Sequence, residues 1–168
     1  EAHGYTFQSE TDTETVAHLV DYLHTGKQED LAQTVLNAVQ RIRGSYALGV
    51  VPMDNPEEIV AARRDNPLVI GIGEGENMIA SDITAIISRT KQYIILDDNE
   101  VAIIRPDSVI VMNEFGDVVE KTVQTVSWDL SAAEKGGYEH FMLKEIVEQP
   151  KAVADTVKPR IQGNSVVF

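Results

Sequence analysis

The chain has 168 residues, of which 43% are hydrophobic, and this composition is typical of one globular domain with a sizeable core. Its formal net charge is −13, and because nucleic acids and anionic membranes repel an acidic surface, neither is expected as a partner. The chain contains no cysteine, so a disulfide, a thiolate metal site and a cysteine nucleophile within it are excluded. No signal peptide and no apolar run of transmembrane length occurs in the sequence, and a cytoplasmic protein is expected.

The first predicted element is a helix that begins within a polar segment, residues 9–14. Thr11 and Glu14 have the spacing of a capping box, in which a hydroxyl and a carboxylate accept hydrogen bonds from unpaired backbone N–H groups at a helix start. Residues 5–7, which precede this segment, alternate as an edge strand does. Apolar residues with helical spacing and a glycine at the expected C-terminal cap follow: Val16, Leu19, Val20, Leu23 and Gly26.

Asp12 is the candidate binding residue of this segment. It lies in the first turn of the predicted helix, and because Thr11 already supplies the cap, the Asp12 carboxylate is free to point out of the helix start toward a ligand. The alternative interpretation is that Asp12 only complements the positive end of the helix dipole, which contributes roughly a few tenths of a kcal/mol. The local pattern leaves both interpretations open.

The rest of the chain predicts a second helix, a series of strands and a closing helix. The second helix should run from Asp30 to Ile42 and end at Gly44, and Ser81 or Asp82 should cap a short helix. Because helices flank the strands, the fold class is predicted to be α+β, with layered antiparallel sheets. Strand patterns cover residues 46–51, 58–63, 67–73, 77–81, 93–96, 100–105, 108–113 and 118–126, and the closing helix covers residues 138–158, interrupted at Pro150.

Other polar motifs have simpler structural explanations than a functional site. The glycine-rich segment 71–76 is interpreted as a hairpin turn, because a strand follows it and its two glutamates would repel a phosphate. The four histidines lack metal-ligand spacing, and residues 97–100 provide too few ligands for a calcium loop. Ser81 and Asp82 are interpreted as capping residues rather than as members of a hydrolase triad. Neither a metal nor a cofactor is predicted.

Residues 4–14, 67–73 with 79–82, and 135–150 closely resemble the glutamine–fructose-6-phosphate aminotransferase (isomerising) family, also called glucosamine-6-phosphate synthases. The first of these blocks is shared with class II glutamine amidotransferases as a whole. The last block is more specific and narrows the resemblance to this family. The resemblance covers nearly the whole chain.

The resemblance implies an N-terminal nucleophile hydrolase fold, an α/β/β/α sandwich, which agrees with the predicted order of helices and strands. In this family an N-terminal cysteine attacks the side-chain amide of glutamine, and the released ammonia converts fructose 6-phosphate to glucosamine 6-phosphate, an amino sugar, in an isomerase domain. Glutamine is accordingly the expected substrate. Of the family's glutamine-binding residues, only the aspartate that holds the substrate's α-ammonium is matched, and it falls on Asp12.

The chain also departs from the family pattern. The family's nucleophilic cysteine, its carboxylate-binding arginine and its oxyanion segment all precede this region. Residues 1–158 are therefore expected to be a partial glutamine amidotransferase type 2 domain, incomplete at its N-terminal side, and residues 159–168 the start of a linker to an absent isomerase domain. No catalytic residue is expected in this chain, which should be inactive alone. Its expected partners are the missing N-terminal part and the isomerase domain of a homo-oligomeric parent enzyme. The alternative is a non-catalytic binding or regulatory module that kept the fold.

Overall fold

The computed structural model describes residues 3–24, 30–127, 136–162 and 165–166, and the chain divides into two units, Glu1–Val126 and Ser127–Phe168. The described residues of the first unit form two α-helices, one 3₁₀ helix and nine strands. They are α1 (Asp12–Leu23), α2 (Leu31–Val39), β1 (Tyr46–Val50), β2 (Ile59–Arg64), β3 (Val69–Ile72), β4 (Asn77–Ala80), the 3₁₀ helix (Ile83–Ala85), β5 (Gln92–Ile95), β6 (Val101–Arg105), β7 (Ser108–Met112), β8 (Val118–Val119) and β9 (Gln124–Thr125).

The strands of the first unit form two antiparallel sheets. Sheet A has the strand order β1-β2-β6-β7-β8, and sheet B has the order β4-β3-β5-β9. The first two predicted strands pair as a hairpin in sheet A, where Tyr46 lies opposite Arg64. The hairpin predicted at the glycine-rich segment lies in sheet B, where Val69 pairs with Ala80, and is confirmed.

Sheet A lies between the two helices and sheet B. Neighbouring residues of a strand point to opposite faces of the sheet, and β6 shows this directly. Val101 packs in the core cluster that α1 and α2 share with sheet A, whereas Ala102 and Ile104 pack in the cluster shared with sheet B. The first unit is thus an α/β/β stack, and the predicted α+β class with antiparallel sheets is confirmed.

The prediction of one strand over residues 118–126 is wrong. Val118–Val119 pair with β7 in sheet A, whereas Gln124–Thr125 pair with β5 in sheet B. The chain crosses between the sheets at Lys121, whose ammonium lies 2.8 Å from an Asp97 carboxylate oxygen and 2.9 Å from a Glu100 carboxylate oxygen. An alternating sequence predicts extended backbone, but the two ends of this segment pair with different sheets, which the alternation does not indicate.

The edge strand predicted over residues 5–7 is also absent from the described part of the chain. The Tyr5 hydroxyl instead donates to Asp21 Oδ2 of α1 at 2.6 Å. The rings of Tyr5 and Phe7 lie 4.6 Å and 4.9 Å from the His18 ring, measured between centroids. This segment is held by side-chain contacts with α1 rather than by backbone pairing.

The second helix is confirmed but ends earlier than predicted. Asp30 caps α2 by accepting a hydrogen bond from the Ala32 N–H at 3.1 Å, and the helix ends at Val39 rather than at residue 42. The Arg41 N–H then bonds to the Ala38 carbonyl at 2.9 Å, which is the tighter pattern of a final turn. Arg41 therefore lies in the connection to β1. Gly26, the predicted cap of α1, lies outside the described residues.

The described residues of the second unit form α3 (Phe141–Val157), a 3₁₀ helix (Lys158–Arg160) and a short hairpin of β10 (Ile161–Gln162) and β11 (Ser165–Val166). The helix continues through Pro150, so the predicted interruption is wrong. The Pro150 nitrogen carries no hydrogen, so it cannot donate a hydrogen bond to the preceding turn. In the next turn, Lys151 and Asp155 form an ion pair at 2.6 Å. No helix among the described residues is long and apolar enough to cross a membrane.

Candidate functional site

The candidate site lies at the N-terminal end of α1. Asp12 is the first residue of the helix, and Thr11 precedes it in an extended conformation as the N-cap. The predicted capping box does not form as expected, because the Thr11 side chain makes no cap hydrogen bond to the helix. Its hydroxyl oxygen lies 2.9 Å from the Ser9 hydroxyl oxygen instead. The helix therefore starts where the sequence predicts, with a different set of hydrogen bonds.

The Glu14 carboxylate points back to the residues before the helix. Glu14 Oε1 accepts a hydrogen bond from the Gln8 N–H at 2.7 Å, and Oε2 accepts from the Ser9 N–H at 2.6 Å and from the Ser9 hydroxyl. The Ser9 hydroxyl, with the two backbone donors, lowers the pKa of Glu14 to about 2. Glu14 Oε1 also lies 3.3 Å from His18 Nε2 one helical turn later.

This pKa shift predicts a pH dependence of stability. The ionised form of Glu14 is favoured in the folded chain, so its contribution is present above its ordinary pKa of 4.5 and is lost as the pH falls toward 2. We expect the thermal midpoint of Glu14→Gln to fall less steeply than that of the parent chain between pH 5 and pH 2. Glu10→Gln is the matched control, because Glu10 is exposed, and it should keep the parental slope. Equal slopes for all three proteins would contradict the Glu14 network.

Asp12 is exposed and lines a cavity of about 500 Å³. Among the described residues, its carboxylate has no hydrogen bond or ion pair. Arg41, Arg43 and Asn66 line the same cavity. The positive end of a helix dipole favours a carboxylate at this position. Asp12 thus lies at the helix start, as the sequence predicts, and at the wall of a cavity.

Two features of this region were not indicated by the sequence. The first is the presence of Arg41 and Arg43 beside the Asp12 cavity, which depends on the early end of α2. The second is a larger cavity of about 760 Å³, lined mainly by apolar side chains of α1 and β1 such as Val20 and Leu48. Each of the two cavities is lined by residues that lie about thirty positions apart in the sequence. Hydrophobic periodicity carries no information about such distant contacts.

The motifs interpreted as structural have structural contacts. Asp82 Oδ1 accepts a hydrogen bond from the Thr84 N–H at 2.7 Å, which confirms the predicted cap. The Thr84 hydroxyl and this N–H together lower the pKa of Asp82. The glycine-rich segment is a hairpin turn, in which the Gly73 N–H bonds to the Glu76 carbonyl at 2.9 Å. Arg89 pairs with the Glu76 carboxylate at 2.7 Å. Within the described ranges, no group of three or more acidic or histidine side chains could hold a metal ion.

Comparison with known proteins agrees with the resemblance found in the sequence. The glutamine amidotransferase domain family matches residues 1–88. The glutamine–fructose-6-phosphate aminotransferase of Caldanaerobacter subterraneus subsp. tengcongensis is 53% identical over 98% of this chain and 26% of its own length. The enzymes of the same name from Clostridium tetani and Aquifex aeolicus are 46% and 48% identical over 95% and 92% of this chain, again over 26% of their own length. This chain thus spans about a quarter of the length of these curated relatives.

A solved structure shares the fold. The glutamine phosphoribosylpyrophosphate amidotransferase from B. subtilis, complexed with ADP and GMP, aligns with a TM-score of 0.56 and 24% identity. The alignment covers 70% of this chain and 25% of that protein's chain. Together with the antiparallel sheets and the helices over sheet A, this likeness confirms the predicted N-terminal nucleophile hydrolase type of α+β fold.

Proposed function

The chain belongs to the glutamine amidotransferase domain family, and we propose that it is part of the glutaminase domain of a glutamine–fructose-6-phosphate aminotransferase. The parent enzyme would hydrolyse glutamine and pass the ammonia to fructose 6-phosphate to form glucosamine 6-phosphate. The observation that carries this proposal is the 53% identity to a relative of that name over 98% of the chain. A cytoplasmic, homo-oligomeric parent enzyme belongs to the same proposal.

Asp12 is proposed to bind the α-ammonium group of glutamine. Its carboxylate is exposed at the helix start and lines a cavity of about 500 Å³, which lies within the usual size range of small-molecule sites of roughly 300–1,000 Å³. A carboxylate and an ammonium form a charge-assisted hydrogen bond, which is stronger than one between neutral groups. Asp12 would thereby fix one end of the substrate and leave the amide end free to reach the nucleophile.

The bond-breaking step is proposed to use groups outside this chain, because the chain contains no cysteine. The cysteine thiol gives its proton to a base and attacks the side-chain amide carbon of glutamine as a thiolate; the carbon–nitrogen bond then breaks, and the nitrogen takes up this proton and leaves as ammonia. Water then cleaves the thioester, which releases glutamate and restores the thiol. The missing N-terminal part of the domain would supply the nucleophile and the oxyanion donors, and an isomerase domain would receive the ammonia.

Release of glutamate tests this proposal. We expect residues 1–168 alone to release no glutamate from glutamine above background, because the nucleophile is absent. The full-length protein that carries this chain should release glutamate and form glucosamine 6-phosphate when fructose 6-phosphate is added. Turnover by the chain alone would contradict the proposed division of labour. A full-length protein that binds glutamine without turnover would favour the non-catalytic module.

A further inference from the structure

The Glu14 carboxylate holds residues 8 and 9, which lie shortly before Asp12. Glu14 accepts the backbone N–H groups of Gln8 and Ser9 at 2.7 Å and 2.6 Å, and it also accepts the Ser9 hydroxyl. Two of these three donors belong to the backbone, so the contacts fix the path of the chain rather than one side chain. Residues 8–11 are called the 8–11 turn below.

Ser9 also contacts Thr11, the residue that precedes Asp12. Its hydroxyl oxygen lies 3.3 Å from the Thr11 backbone nitrogen as an acceptor and 2.9 Å from the Thr11 hydroxyl oxygen. The Thr11 side chain makes no cap hydrogen bond to α1. It contacts the Ser9 hydroxyl instead. The helix fixes the chain after Asp12, and the network of Glu14 and Ser9 fixes the chain before it.

We propose that Glu14 is a positioning residue for Asp12, which by holding the 8–11 turn sets the direction in which the Asp12 carboxylate meets the ammonium group of an amino-acid substrate. This inference rests on the proposed function, because it takes Asp12 to be the ammonium-binding residue. Asp12 and Thr13 line the cavity, whereas Glu14 is not among its described lining residues. Glu14 therefore acts through Asp12 and not by touching the substrate.

Glutamine is a suitable replacement for testing this role. A glutamine side chain at position 14 keeps one acceptor oxygen but presents an NH₂ group where the second oxygen stood. Because Gln8 and Ser9 offer a backbone N–H to each carboxylate oxygen, one of these donors would face another donor in Glu14→Gln. The side chain keeps its size, so the turn loosens without a cavity being created.

The test is a double-mutant cycle in the full-length protein, with KM and kcat for glutamine hydrolysis as the readouts. Asp12→Ala, Glu14→Gln and the double variant are compared with Glu10→Gln, which removes an exposed carboxylate of the same segment. We expect Glu14→Gln to raise KM about fivefold with kcat unchanged, as the loss of ordered ground-state binding predicts. In the Asp12→Ala background, Glu14→Gln should cause no further rise, because a residue that acts through Asp12 is coupled to it.

Ser9→Ala is a second variant that tests the same role. The thermal midpoints of all variants show whether a rise in KM reflects a loss of folding. Ser9→Ala removes the hydroxyl that links Glu14 to Thr11 but leaves both backbone donors in place, and it should raise KM in the same direction as Glu14→Gln. If Glu14→Gln behaves like Glu10→Gln while Asp12→Ala raises KM, the positioning role is overturned and the proposed function stands. An additive effect in the double variant, or a fall in kcat alone, would overturn it as well. If Asp12→Ala leaves KM unchanged, the ammonium-binding role of Asp12 fails first and the positioning role fails with it.

Discussion

In the full-length protein, Asp12→Ala is expected to raise the KM for glutamine about tenfold or more, with little change in kcat. A hydrogen bond to a charged group contributes about 1.5–3 kcal/mol, and about 1.4 kcal/mol corresponds to a factor of ten in affinity. The Asp12 carboxylate is exposed at the helix start, so its removal creates no cavity in the core. The expected loss is one of substrate binding, measured from the glutamine dependence of glutamate release.

Glu10→Ala is the matched control for this prediction. Glu10 is an exposed carboxylate two residues earlier in the same polar segment, and its removal changes the net charge equally. It should leave the KM for glutamine unchanged. If Asp12→Ala also leaves KM unchanged and only lowers the thermal midpoint slightly, Asp12 acts on the helix dipole alone. That result would support the interpretation that Asp12 only complements the positive end of the helix dipole.

Local signals predicted those elements whose determinants lie within a few residues. Asp30 and Asp82 both accept a backbone N–H two residues later, and this contact requires no distant partner. The two hairpins form between consecutive strands, and in the second the turn residue Gly75 has a φ of 69°, which glycine adopts without strain. The α+β class with layered antiparallel sheets followed from the order of these elements.

Contacts between distant segments explain the wrong predictions. Residues 118–126 alternate as one strand, but their ends pair with β7 and β5, which belong to different sheets. Residues 5–7 also alternate, yet their rings pack on His18 of α1. In both places the sequence pattern describes the local backbone, whereas the partner is chosen by the tertiary structure.

At the candidate site, too, local features could be predicted from the sequence, whereas contacts between distant segments could not. The sequence predicts that the helix starts at Asp12, because the helix pattern is local, but the Thr11 side chain does not supply the predicted cap hydrogen bond. The capping-box pattern also identifies Glu14 as important, but its carboxylate accepts from Gln8 and Ser9 rather than from the N-cap residue Thr11. Which backbone donors a glutamate meets depends on the path of the preceding loop. The approach of Arg41 to the Asp12 cavity depends on where α2 ends, and that boundary was predicted three residues too late.

The packing of α2 on sheet A makes Leu36→Ala the most destabilising substitution that we predict. Leu36 is 2% exposed in the cluster that joins α2 to sheet A, which also contains the fully buried Val35, Val60 and Val101. Truncating a buried leucine removes apolar burial and leaves a cavity, so the free energy of unfolding should fall by about 3 kcal/mol. Urea unfolding of residues 1–168 measures this change, provided that the m-value stays that of the parent chain.

Met53→Ala is the control, because Met53 is 97% exposed in the connection between β1 and β2. Its removal should change the free energy of unfolding by less than about 0.5 kcal/mol. A loss below about 1 kcal/mol for Leu36→Ala would mean that α2 does not pack on sheet A as described. Since α1 packs in the same cluster, such a result would also remove the support that places Asp12 at the edge of its cavity.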